Sequence, residues 1–247
     1  MSDLQIPLFL INLDDDGARL KTFEEALTDR SLFKVIRVPA VPGRYLPDAA
    51  CAELSGSSNW ARKKGEIGCF LSHVKVWELI AASDIEFGVV LEDDVLPRAL
   101  PRLAEIVPPT SFDLVFINDR TSPGTRNDPL DEHLECLQIS EALAVLNRSG
   151  KGPGSDGYVI TRAGAQKLLS VTSQDLYFGN IDWRLIRYSV TADLLENELA
   201  GTRVDVIIRN HHNPSRPPAW GVLRAACLNT PLVVYLTFPS RIVGPHA

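Results

Sequence analysis

The chain has 247 residues, with 45% hydrophobic and 23% charged side chains, enough apolar material for one large α/β domain with a buried core. A formal net charge of −6 argues against a nucleic-acid-binding surface, so an anionic ligand would have to be met locally, by arginines or by a metal. The four cysteines, Cys51, Cys69, Cys136 and Cys227, form no CxxC pair, which argues against a zinc site or a disulfide framework and for reduced thiols.

The first residues, MSDLQIPLFLINLDDD, have no basic start, so a signal peptide or membrane anchor is not expected. Ile6 to Leu13 is a nearly continuous apolar run, as in a strand covered on both faces. Asp14, Asp15, Asp16 and Gly17 break it, and Leu20, Phe23 and Leu27 then follow at helical spacing. Lys34 to Val38 reads as a second strand. Residues 39 to 64 show no period and are expected to form a long loop. Ile67, Phe70, Leu71, Val74 and Trp77 make one helical stripe.

Phe87 to Leu91 is a buried strand that runs straight into Glu92, Asp93 and Asp94. Leu100 and Leu103 suggest a short helix, and Asp113 to Ile117 a further strand. Residues 120 to 132 are polar and turn-rich. Ala142 to Leu146 and Gly157 to Ile160 read as strands around a glycine-rich loop, and Arg162 to Val171 as a helix. Asp182 opens another helix, and Val204 to Ile208 reads as a last strand before His211 and His212. Strands alternating with helices predict a mainly parallel α/β sheet with helices on both faces, binding ligands outside its carboxyl ends. No repeat or linker divides the chain, so residues 1–247 are expected to form a single domain.

Three consecutive acids at the end of an apolar strand repel one another unless a cation sits among them, and hard oxygen ligands suit Mg²⁺ or Mn²⁺. A solvated acidic turn is the plainer alternative. Side chains alternate along an extended chain, so Glu92 and Asp94 can share a side while Asp93 points away.

The run Gly65-Glu66-Ile67-Gly68-Cys69-Phe70-Leu71-Ser72-His73, followed by Val89-Val90-Leu91-Glu92-Asp93-Asp94, resembles glycosyltransferase family 25, which includes lipooligosaccharide and collagen galactosyltransferases. Ile11-Asn12-Leu13-Asp14 with Arg19 resembles the family's opening signature. Gly157 to Leu169 resembles a later motif, and Asp182 a further aspartate. The likeness covers about residues 6 to 190. It departs in the turn after Leu13, where the family is rich in arginine and this chain has only Arg19. Residues 191–247 form an extension of unassigned role.

The resemblance implies a GT-A-like fold, a nucleotide-sugar donor such as UDP-galactose, a saccharide or lipid-linked saccharide acceptor as in lipopolysaccharide biosynthesis, and manganese or magnesium. It implies a cytoplasmic enzyme, peripheral to the inner face of a membrane where the acceptor requires it, with inversion at the anomeric carbon. Asp94 and then Glu92 are the expected metal contacts, with the late His211 a third candidate. Asp182 is the candidate general base, its alternative being a helix N-cap.

Asn12, Leu13, Arg19, Glu66, His73, Asp93, Ser155, Asp156, Gly157 and Tyr158 are the expected donor-side residues. His73 could equally be a satisfied core histidine, Glu66 a favourable charge at a helix start, and Ser155 part of a turn without a ligand. Gly65 and Gly68 fit a close approach of loop and helix. The tail from Pro217, with Arg224 and Arg241 and no acids, either packs on the core or meets an anionic membrane. Two alternatives to this transferase remain: a family member that binds nucleotide sugar without catalysis, and a transferase with another donor and acceptor.

Overall fold

The structure is a computed structural model, and it describes residues 5–55, 63–109, 111–150, 152–175, 180–210 and 219–236. In chain order the first half gives β1 (Ile6–Asn12), α1 (Gly17–Ala26), β2 (Phe33–Pro39), α2 (Asp48–Ser55), α3 (Lys64–Ala81), β3 (Phe87–Glu92), β4 (Val95–Leu96) and β5 (Leu114–Phe116). The second half gives β6 (Cys136–Gln138), α4 (Ile139–Ser149), β7 (Gly157–Thr161), α5 (Arg162–Asp175), α6 (Ile181–Ser189), α7 (Ala192–Asn197), α8 (Arg203–Asn210), β8 (Ala225–Leu228) and β9 (Val234–Tyr235).

Seven strands form one sheet in the order β2-β1-β3-β7-β5-β8-β6, and β4 pairs with β9 in a separate ribbon. β1 runs parallel to β2 and β3, and β5 parallel to β8. β7 is antiparallel to both β3 and β5, and β6 is antiparallel to β8. Five strands, β1, β2, β3, β5 and β8, therefore point the same way. The expected α/β architecture with a mainly parallel sheet is the one found.

Burial on both faces explains the apolar runs. Along β1, Leu8 and Leu10 enter one core while Phe9 and Ile11 enter the other, and Val89 and Leu91 alternate with Val90 on β3 in the same way. One core is closed by Trp77 and Ile80 of α3, Leu168 of α5, Leu185 of α6, Leu143 of α4 and Ile208 of α8. The other is closed by Phe23 of α1, by Leu27, and by Leu100 and Leu103 of a 3-10 helix over Leu100–Glu105.

Several sequence expectations need correction. Ala142 to Leu146 lies in helix α4, not in a strand, and Ile139, Ala142, Leu143 and Leu146 are its buried stripe. Val204 to Ile208 is helix α8, whose Val204 and Ile208 are buried one turn apart. Within residues 39–64 lie a 3-10 turn, Gly43–Tyr45, and helix α2 rather than an unbroken loop. Asp182 is not the N-cap of α6: the Asn180 side chain fills that place, accepting from the Trp183 amide. The described part of the tail packs on the core, with Leu232 and Val233 fully buried. Among the described residues no helix is long and apolar enough to cross a membrane.

Candidate active site

The sheet brings the carboxyl ends of β1 and β3 side by side, since Ile11 pairs with Glu92. Antiparallel β7 begins at the same edge, with Gly157 opposite Leu91. The segment after β5 and the first turn of α6 complete the rim. Acids from four chain segments thus converge where an α/β sheet collects ligands.

The middle acid is tied down. Asp93 Oδ2 accepts from Asn12 Nδ2 at 2.7 Å, and its Oδ1 lies 3.1 Å from Arg19 Nη1. Asn12 is itself buried and holds the Asp16 carbonyl and the Arg37 Nε–H as well. Burial pushes the Asp93 carboxyl above its usual range, against the hydrogen bonds from Asn12 and Arg19. The acidic turn is neutralised locally: Asp14 pairs with Arg37 at 2.7 Å, Asp15 with Arg44, and Asp16 with Arg19 at 3.4 Å while its side chain caps α1. Arginines absent from the turn are supplied by β2 and by the Gly43–Tyr45 turn.

Glu92 is anchored from two sides. Its Oε1 lies 3.2 Å from His73 Nε2 and accepts from Ser155 Oγ at 2.8 Å. Burial works against its charge, but these hydrogen bonds and Arg120 outweigh it and hold the carboxyl below its usual range. His73 is fully buried, its Nδ1 2.9 Å from the Tyr158 hydroxyl, which also accepts from Trp77 Nε1 at 2.9 Å. Tyr158 itself is fully buried in the core beside α3. The expectation that it faces a sugar is therefore corrected: strand alternation sends it inward, where it orients His73.

Asp94 is different. Its Oδ1 is buried without a hydrogen-bond partner, and burial together with Glu92, Asp156 and Asp93 pushes its carboxyl up to about 8. Asp156 is 1% exposed, and neither of its carboxylate oxygens receives a well-formed hydrogen bond; Arg120 Nη2 lies 3.2 Å from Oδ2 as an ion pair. Its carboxyl is pushed up to about 6, chiefly by burial, with Arg120 opposing. A Cβ at Gly154 would collide with Asp156 Oδ1 and lie 2.5 Å from Arg120 Nε, so a side chain there would push this ion pair aside. Asp182 Oδ1 accepts from the Ser155 amide at 2.8 Å, and burial raises its carboxyl despite Arg120. Asp94 and Asp156 thus each carry buried carboxylate oxygen without a well-formed hydrogen bond, the kind of oxygen that a hard divalent cation takes.

The remaining expected residues scatter. Gly157 is buried, with no room for a side chain against Val233, and its carbonyl accepts from the Ile117 amide and Asn118. Glu66 is half-buried at the start of α3, 3.2 Å from Lys63. Leu13 is half-buried at the end of β1. His211 lies outside the described residues. Gly68 does allow the close approach expected of it: a Cβ there would meet the Val41 carbonyl at 2.5 Å and Gly43 at 2.7 Å.

Sequence reasoning missed Arg120 and Asn118. Asn118 is fully buried and donates to the Gly154 and Gly157 carbonyls while accepting from the Arg120 and Thr121 amides, so it shapes the loop that carries Asp156. Arg120 sits over the Tyr235 ring at 4.7 Å and is raised by Asp156, Asp182 and Glu92 against its burial. The signal was available, because Asn118-Asp119-Arg120 follows an apolar strand at its carboxyl end. Cys69 lies on α3 one turn before His73. Burial pushes its thiol well above the ordinary range, and Glu92, Asp182 and Asp94 add to that.

Residues 5–100 match the family model for glycosyltransferase family 25 (LPS biosynthesis protein). A glycosyltransferase 25 family member of Aedes aegypti is 30% identical over 181 residues, covering 66% of this chain and 27% of the relative. An inactive glycosyltransferase 25 family member 3 of Mus musculus is 32% identical over 154 residues, covering 60% and 22%. Procollagen galactosyltransferase 1-B of Xenopus laevis is 29% identical over 180 residues, covering 66% and 28%. The chain thus spans only about a quarter of the length of these relatives. A crystal structure of the galactosyltransferase LgtC with donor and acceptor sugar analogs aligns over 95% of this chain and 88% of its own, at 14% identity and a TM-score of 0.40, a likeness too loose to position any residue. Over residues 5–100 the chain is thus similar to glycosyltransferase family 25, and the relatives extend that similarity over about two thirds of its length.

Proposed function

We propose that the chain is a single-domain, metal-assisted, inverting glycosyltransferase that moves a hexose from a nucleotide-sugar donor to a saccharide acceptor. Galactose from UDP-galactose is the donor proposed, supported by the name of the Xenopus relative. A lipid-linked saccharide such as a lipooligosaccharide, met at the cytoplasmic face of a membrane, is the acceptor proposed.

The observation that carries this reading is the pair of buried carboxylates, Asp94 with an oxygen that has no hydrogen-bond partner and Asp156 balanced only by the Arg120 ion pair. Asp94 and Asp156 would hold a Mn²⁺ or Mg²⁺ ion, with the charge of Glu92 felt at Asp94, and the ion would neutralise the charge of a departing nucleoside diphosphate. Asp156 takes the place that sequence reasoning gave to His211.

Around that ion the chain's own residues divide the work. Arg120 balances Asp156 and Asp182. Asp182, raised by burial and sited at the rim, accepts the proton of the acceptor hydroxyl. The oxygen so exposed attacks the anomeric carbon from the face opposite the leaving group, and the bond from that carbon to the diphosphate oxygen breaks. The turn after β1 and Arg19 flank the donor's phosphates or ribose.

A thermal-shift screen of nucleotide sugars with and without Mn²⁺ tests the reading. One donor should stabilise the protein, and only with the metal. Equal silence from all donors in the presence of Mn²⁺ and Mg²⁺ overturns it. The rival reading, a member that binds donor without turning it over, is favoured by the relatives named inactive and by the pairing of Arg19 with Asp93. Slow hydrolysis of donor in the absence of acceptor separates the two.

A further inference from the structure

Cys69 and His73 stand one turn apart on α3, and their sulfur and ring nitrogen lie with a Glu92 carboxylate oxygen within 4.8 Å of one another. We propose that these three side chains form a second cation seat, selective for a borderline ion such as Zn²⁺ and distinct in its chemistry from the all-oxygen cradle of Asp94 and Asp156.

Thiolate and imidazole select Zn²⁺ or Co²⁺ over Mg²⁺ and Mn²⁺, whereas carboxylates alone do the reverse. The spacing is favourable, because residues four apart on a helix project from one face. His73 Nε2 and Glu92 Oε1 are already 3.2 Å apart. Bonds of about 2.0–2.3 Å around a tetrahedral zinc set its ligands roughly 3.3–3.8 Å from one another, so the sulfur closes by about 1 Å to complete the set.

The outer contacts are those a metal site uses. The Tyr158 hydroxyl, fixed by Trp77, holds His73 by Nδ1 and so directs Nε2 at the seat. Ser155 fixes Glu92 by the same oxygen that faces His73. Three protein ligands leave a fourth position open, and binding releases the Cys69 proton to solvent while neutral His73 carries its one ring proton on Nδ1, donated to the Tyr158 hydroxyl. A search for CxxC pairs passes over this cysteine, because its partner is a histidine four residues on. Because Glu92 borders both seats, Zn²⁺ bound here antagonises sugar transfer, a consequence that rests on the function proposed above. The seat itself does not.

The test is a Co²⁺ titration of the full-length protein followed by absorption, with no donor present. A thiolate-to-cobalt charge-transfer band in the near ultraviolet should rise to one equivalent, disappear on adding Zn²⁺, survive Asp94→Asn, and be absent from Cys69→Ser. In parallel, Zn²⁺ should abolish alkylation of Cys69 in the unaltered protein, read by peptide mass spectrometry, while leaving that of half-buried Cys136 unchanged; this arm needs no variant to fold. No band in the wild type, a band that persists in Cys69→Ser, or undiminished alkylation of Cys69 overturns the proposal. Neither readout involves donor or turnover, so a silent nucleotide-sugar screen leaves the seat standing, and an absent band leaves the oxygen cradle standing.

Discussion

Replacing Asp94 by Asn should stabilise the metal-free protein at alkaline pH and abolish the proposed sugar transfer. In the fold the Asp94 carboxyl is pushed up to about 8, first by burial and then by Glu92, Asp156 and Asp93. An aspartate in an unfolded chain titrates near ~3.9. The folded protein therefore holds a proton that the unfolded chain has lost, and stability without metal is greatest below about pH 4 and falls as the pH rises through about 8. At about 1.4 kcal/mol per unit, the loss across that window is on the order of a few kcal/mol. Asparagine keeps the shape, carries no charge, and can donate to Glu92 or Asp156. Asp94→Asn should thus melt near the wild type at pH 5, above it at pH 8, and gain nothing from Mn²⁺, which should stabilise the wild type more at pH 8 than at pH 5. With one anionic ligand gone, transfer should fall roughly a hundred-fold or more, a barrier of about 3 kcal/mol. Melting curves at the two pH values, with Mn²⁺ or EDTA, and initial rates check all of this. Near wild-type turnover in Asp94→Asn, with EDTA harmless, would refute the reasoning.

The other predictions address the base, the cation beside it and the helix approach. Asp182→Asn should keep the bond from the Ser155 amide, and since Asn180 caps α6 it should melt within about 1 kcal/mol of wild type and bind donor normally, yet transfer sugar very slowly; retained transfer with lost stability would reduce Asp182 to a structural role. Arg120→Met removes the charge that holds Asp156 and Asp182 down, so both rise and the acidic limb of the pH–rate profile should move up by about one unit or more; an unmoved limb counts against Arg120's placement. Gly68→Ala gains about 1 kcal/mol of helix propensity but drives a methyl into the Val41 carbonyl and Gly43, and a rigid backbone there should make the net effect destabilising by roughly 1–3 kcal/mol in a denaturant titration.

What could be read in the sequence was what packing alone does not explain. Three acids behind Phe87–Leu91 have no place in a core, and the apolar runs of β1 and β3 fix them at a sheet edge. The misread elements were short apolar runs whose local pattern is ambiguous: Ala142–Leu146 and Val204–Ile208 show their helical period only when Ile139 and the flanking polar turns are included. Direction is likewise not local. That β7 runs antiparallel to β3 decides that Asp156 arrives at the edge where β3 ends, and that Tyr158 turns toward α3. Arg120 and Asn118 lay inside a stretch whose turn-rich composition hid two buried polar residues.

The consecutive acids also do three different things, and the hydrogen bonds say why. Glu92 is held by His73 and Ser155, so its charge is already stabilised and its position fixed. Asp93 bonds Asn12 and Arg19, so it joins the end of β1 to the end of β3 and leaves no carboxylate oxygen idle. Asp94 alone of the three keeps a buried oxygen with no hydrogen-bond partner, and it feels the charge of Asp156, which only the Arg120 ion pair offsets. Burying such groups costs stability unless something fills the gap, and Arg120 is one charge set against Glu92, Asp156 and Asp182. A fold that bears this cost only to bind a sugar nucleotide could replace Asp94 by Asn and become more stable. The carboxylate is useful where a cation must be held, and that favours the metal-assisted transferase over the inactive binder.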